Sequence, residues 1–237
     1  MAVLFIAVAV TGFGPRSLAI VTGQLPVPPL VVHLHAALMS AWLVLLLAQT
    51  VLMKSGRPAL HASLGAASFV IAPAMFLVMA VLVVANAARL FDSGAAMPPE
   101  ALARTFAFVA FVMGRAAILF ALFYACAVAA RNTARETHKR MMVLATFVVI
   151  DAALGRMSWL PGVSGFFESA RGYDAIHGYQ LLSLLPVVLH DLVRFRRVHW
   201  AYLFGGGLFV SFALATHLTW NSPGWQRLVT SWTGAGG

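Results

Sequence analysis

Residues 31–65 read VVHLHAALMSAWLVLLLAQTVLMKSGRPALHASLG, and this stretch decides the fold. From His35, the positions Met39, Trp42, Gln49 and Met53 recur near a 3.6-residue period, so they share one face of an apolar helix. A basic turn, Lys54-Ser-Gly-Arg57, follows, and Pro58 starts a second apolar helix headed by His61. A polar stripe on so apolar a helix has no reason to face lipid. The rest of the chain is read as helices packed around that stripe.

The composition agrees. Of 237 residues, 61% are hydrophobic and 10% charged, against about a quarter charged in a soluble domain. Mean hydropathy is +0.88. The net charge of +9 would suggest nucleic acid in a soluble protein. Here the basic residues lie between apolar runs, the footprint of membrane loops, so membrane lipids and not nucleic acid are the expected surroundings. Cys126 is the only cysteine, which excludes an internal disulfide. There is no C-x-x-C-H for covalent haem and no Walker-type loop. The start, MAVLFIAVAVTGFGPR, lacks the basic region of a secretory signal and reads as a retained first helix.

Apolar runs of about 20 residues cross roughly 30 Å of hydrocarbon. They predict a single all-α transmembrane bundle over residues 1–237, with about seven spans near 2–21, 30–53, 60–88, 102–130, 136–159, 175–193 and 199–218. Gly14-Pro15-Arg16 is expected to interrupt the first. Thr133-x-x-Glu136 has the spacing of a capping box opening the fifth. The tail, 223–232, places Trp225, Leu228, Val229 and Trp232 on one face of a short interfacial helix. Nine Lys and Arg, including Arg57, Lys139 and Arg140, fall on one side of these spans and six on the other. The basic side is expected to be cytoplasmic, which gives an N-in, C-out topology in a bacterial inner membrane.

With that topology His35 and His177 lie at one depth near the outer face, and His61 and His138 at another near the inner face. Two imidazoles from facing helices are what a b-type haem iron requires. His35 with His177 and His61 with His138 are therefore expected as two axial pairs, carrying electrons across the membrane. Arg57, Lys139 and Arg140 are the candidates for the propionates inside, with Arg171 outside. His190 is a third candidate ligand in the inner layer, with Asp191 beside it as a structural partner. The alternative is that these histidines only bond to water, headgroups or carbonyls.

Arg115 and Asp151 fall near the middle of the fourth and fifth spans, and Arg156 lies closer to the surface. An ionised group there costs several kcal/mol unless it faces the bundle and finds a partner, so an Arg115–Asp151 pair is expected. It serves either as a helix-pairing ion pair or as a proton path or quinone-like site. Met39, Met53, Met75, Met79, Met141 and Met142 read as core filling and not as a copper path. Gly205-Gly206-Gly207 reads as a close helix approach or a bend. Both lysines, Lys54 and Lys139, lie in or beside loops, so no buried amine is available for retinal.

The run H-A-x-x-M-x-x-W from His35, G-R-x-x-L-H-x-x-L-G at 56–65 and T-H-K-R-M-M at 137–142 resemble a group of bacterial multi-pass proteins with an H-R-x-L-G turn and an H-R-R-x-M helix. The likeness spans residues from about 10 to 160. Ala62 stands where that group usually has arginine, which weakens a propionate role at this turn. The group has no established activity, so the resemblance implies importance for His35, His61 and His138 without a reaction. A likeness to cytochrome b561-type proteins is one of architecture and histidine layering. The expected function is thus a haem b protein exchanging electrons with a quinone. A non-haem transition-metal enzyme acting on lipid or isoprenoid is one alternative, and an accessory subunit of a respiratory or photosynthetic complex is another.

Overall fold

The computed structural model describes residues 1–92, 99–163, 170–219 and 222–231, with side chains described outside 86–92, 99–105, 170–171, 229 and 230. Arg171 and Trp232 therefore lie outside the described side chains. All regular structure among the described residues is helical. The order is α1 (Ala2–Val21), α2 (Leu30–Lys54), α3 (Pro58–Gly65), α4 (Ser68–Asp92), α5 (Pro99–Ala130), α6 (Arg135–Phe147), α7 (Asp151–Leu154), α8 (Ala170–Leu182), α9 (Leu185–Phe195), α10 (Trp200–Thr219) and α11 (Pro223–Ser231). Six stretches are long and apolar enough to cross a membrane: Ala2–Val21, Leu30–Lys54, Pro58–Ala85, Phe106–Ala130, Gly172–Phe195 and Trp200–Thr219. By length and composition this is a multi-pass membrane protein.

The stretch expected at 136–159 is divided. After α6 the chain turns at 148–150 and resumes as the single turn of α7. Val148, Val149 and Ile150 are β-branched, which crowds a helix against its preceding turn. The ladder tightens there, with Val149 N–H reaching the Thr146 carbonyl at 3.3 Å. Gln180 of α8 gives the loosened Phe147 carbonyl a strong partner, its Nε2 donating at 2.7 Å. The broken segment is deeply enclosed, since Met141, Leu144, Ala145, Thr146 and Phe147 have no exposed surface.

Other expectations need correction. α1 runs unbroken through Pro15. The third span bends at Ala66-Ala67, where Ser68 Oγ donates to the Gly65 carbonyl at 2.7 Å. The sixth divides at Ser183-Leu184, just before Pro186 enters the first turn of α9. Thr133 does not cap α6; the position falls to Ala134, with no side-chain bond, and Glu136 turns instead to Lys139 and Arg140. α11 lies against α5, where Trp225 Nε1 donates to the Ala107 carbonyl at 2.8 Å.

Packing around the broken segment depends on two glycines. A Cβ on Gly12 of α1 would stand 2.3 Å from the Ala153 carbonyl oxygen in α7. One on Gly205 of α10 would stand 2.5 Å from Leu144 Cδ1 in α6. Gly206 and Gly207 have nothing within 4 Å, so of the triple only the first serves the close approach. Gly12→Ala, which sets a methyl group against backbone, should destabilise the bundle by about 1–3 kcal/mol. Gly206→Ala should be near neutral. Thermal unfolding of both variants in detergent checks the difference.

Candidate functional site

Two groups of polar side chains are buried at opposite ends of the α6–α7 segment, and a histidine pair lies beside the first. At the end where the segment begins, Arg140 is 2% exposed and faces Asp191 of α9, equally buried. Its Nε donates to Asp191 Oδ2 at 3.0 Å and its Nη2 reaches Oδ1, a two-pronged ion pair. Nη1 turns to the Glu136 carboxylate. Asp191 also accepts the His199 N–H at 3.2 Å. His199 in turn accepts the Ala201 N–H through Nδ1 at 3.2 Å, so that nitrogen carries a lone pair. Burial, and next the Arg140 charge, hold this imidazole below its ordinary pKa, which suits that role.

At the other end Arg115 of α5 is the hub. Its Nη2 donates to Asp151 Oδ2 at 3.2 Å, both side chains being almost fully enclosed. Its Nη1 meets His177 Nε2 and lies 3.4 Å from the Tyr173 hydroxyl. Its guanidinium carbon sits 5.1 Å from the centre of the Phe209 ring, a cation–π contact. Asp151 Oδ1 also accepts the Ala152 N–H at 2.7 Å. His177 Nδ1 lies 2.7 Å from the Tyr173 carbonyl, which can only accept, so Nδ1 carries the proton and Nε2 accepts from Arg115. Both ring nitrogens are thereby engaged.

The midspan charges thus meet as expected, and Arg156, expected in the same polar network, makes no hydrogen bond to either of them. It is exposed, bonds to the Ala152 carbonyl and lies 4.6 Å over the Phe13 ring. Nor does the outer histidine pair form. His177 belongs to the Arg115 network, while His35 Nδ1 is buried without a hydrogen-bond partner. His190 is exposed, with Nδ1 3.6 Å from Asp191 Oδ1. The expected propionate partners are split: Arg140 is committed to two carboxylates, and Lys139 bonds Glu136 at 3.0 Å. Arg57, exposed at the head of α3, has no ion-pair partner among the described residues.

The inner pair is different. The His61 and His138 rings lie 6.4 Å apart, centroid to centroid, and perpendicular. α3 and α6 each begin just after a basic turn, which puts the two side chains about one turn into neighbouring helices. His138 Nδ1 lies 2.8 Å from the Ala127 carbonyl, so it donates there and Nε2 keeps its lone pair. His61 Nδ1 is buried and without a partner. Two imidazoles on opposite sides of one metal ion, at about 2 Å each, place their ring centroids roughly 6 Å apart. The observed centroid spacing is close to that value.

Comparison with family models, with curated proteins and with solved structures finds no match to this chain.

In the sequence Gln180 stands out only as a polar group near the midspan charges, and Tyr173 does not stand out at all. Each acts through a neighbour on another helix, so no local pattern marks it. Replacing one member of the Arg115–Asp151 pair leaves the other charge buried alone and should cost about 3–5 kcal/mol. The joint change Arg115→Met with Asp151→Leu should be milder than Asp151→Leu alone. A double-mutant cycle of thermal unfolding in detergent reads the coupling.

Proposed function

We propose that this chain is a multi-pass protein of a bacterial cytoplasmic membrane that holds one b-type haem between His61 and His138. It would exchange electrons with a quinone or with a larger respiratory or photosynthetic complex. The observation that carries the reading is the 6.4 Å spacing of the two rings, together with the His138 Nδ1 bond to the Ala127 carbonyl. A ligand imidazole normally gives its other N–H to such an acceptor.

The donor set favours haem over a bare ion. Porphyrin brings four nitrogens of its own and asks only two axial ligands of the protein. A bare ion, as in a metal enzyme acting on lipid or isoprenoid, needs three or more. Among the described residues no group of three His, Cys, Asp or Glu could hold a metal. A single centre is proposed in place of two, because His177 already uses both nitrogens. When bound, the iron would supply one-electron exchange. His61 and His138 would hold it, and Arg57 is the uncommitted cation nearby in sequence for a propionate.

Nine of the basic residues lie in the loops or the adjoining helix ends on the His61 and His138 side, which supports a cytoplasmic location for that end. The broken α6–α7 segment supports a seventh crossing. Arg140 at its start pairs near the end of α9, whereas Asp151 reaches Arg115 and, through it, His177 of α8. The segment therefore runs antiparallel to α8 and α9.

The test is the visible spectrum and iron content of the purified protein. A Soret band with about one iron per chain is expected. His61→Ala or His138→Ala should abolish it, and His177→Ala should leave it in place. A featureless spectrum with no bound iron overturns the proposal.

A further inference from the structure

Three polar atoms beside the histidine pair are buried without a hydrogen-bond partner: His61 Nδ1 and both amide atoms of Gln49. They sit on helices that meet at Gly65. Gly65 stands one turn beyond His61 on the same face of α3, and a Cβ built on Gly65 would come within 3.6 Å of Gln49 Nε2. The Gln49 amide of α2 thus lies against the helix face that carries His61. A buried polar group without a partner costs about 1–3 kcal/mol, so three on these two facing helices call for an explanation.

His138 supplies the comparison. A backbone carbonyl takes the proton of its Nδ1 and leaves Nε2 as the lone-pair nitrogen. His61 has no such carbonyl, since its Nδ1 bonds to nothing among the described residues. Two imidazoles can share one Lewis acid through Nε2 only if both carry the proton at Nδ1. The second ring therefore needs an acceptor as the first does. The side-chain carbonyl of Gln49 is a buried acceptor with no other use.

We propose that Gln49 is the positioning residue for His61: its Oε1 accepts the His61 Nδ1–H, fixing the tautomer whose Nε2 lone pair is available at the centre shared with His138. No bond is made or broken; a proton is held at Nδ1 and a ring is oriented. The Gln49 amide stands beside Gly65, one turn along α3 from His61, and its Nε2 remains as a donor there. The role rests on reading His61 and His138 as one centre, but the hydrogen bond can be detected without any cofactor.

The experiment is nitrogen NMR of the full-length protein in detergent, with labelled histidine and no added haem or metal. The His61 signals are assigned by their loss in His61→Asn. In the unaltered protein His61 should show the Nδ1–H tautomer. Gln49→Leu should remove that preference, Gln49→Glu should keep it, and His138 should be unmoved in both. Should the Leu variant not fold, Gln49→Asn, whose side chain is one methylene shorter, takes its place. In parallel, haem titration should show affinity lowered about 10–100-fold by Gln49→Leu, as for other partners of metal-bound histidines, and largely retained by Gln49→Glu. A His61 tautomer indifferent to residue 49 overturns the positioning role, whatever the protein binds. A tautomer that follows residue 49 in a protein that takes up no haem supports the hydrogen bond and overturns the haem reading instead.

Discussion

A charge inside an apolar bundle must find its counter-charge within a few ångströms, and this constraint organises the helices. The two deeply buried ion pairs among the described residues, Arg140–Asp191 and Arg115–Asp151, each have one member on the α6–α7 segment. The first ties its start to α9 and the second ties its finish to α5. A slide of the segment along its axis would separate both at once. Such pairs add little net stability over well-packed apolar side chains, but they define position: the segment has one register in which neither charge is left alone.

Register matters because the same segment carries His138. Its ring meets His61 only if α6 starts at the level where α3 starts, and the Arg140–Asp191 pair, half a turn further on, fixes that level. The close approaches at Gly12 and Gly205 hold the segment laterally, against α1 and α10. The polar pairs thus determine where the histidines stand along the bundle, and the glycines how near the helices come. Neither the ion pairs nor the glycines belong to the histidine pair itself.

Much of this was legible in the sequence wherever a signal was local. Hydropathy located the long helices, the midspan positions of Arg115 and Asp151 predicted their meeting, and the matched depths of His61 and His138 predicted a pair. The signal failed where the answer lay on another element. Val148, Val149 and Ile150 are as apolar as any spanning residues, so hydropathy could not reveal the break that the Gln180 amide helps to accommodate. His177 looked like an outer-layer ligand because its depth was right. Nothing near it in the chain says that Arg115, 62 positions earlier, occupies its Nε2. Arg140 looked available for the same reason until α9 brought Asp191 to it.

The order in which the chain is made gives the Arg115 network a further meaning. α5 leaves the ribosome before Asp151 exists, so its guanidinium first enters the membrane without its later partner. A central arginine raises the cost of insertion by roughly 2.5–3.5 kcal/mol, while each Leu, Ile or Phe lowers it by about 0.3–0.6. Phe106, Phe108, Phe111, Ile118, Leu119 and Phe120, with the apolar residues after them, are enough to offset the guanidinium. α5 can therefore be delivered to the bilayer unassisted, and the carboxylate that arrives with α7 selects its docking partner afterwards. The buried charge meets its counter-charge only once α5 and α7 are both in place.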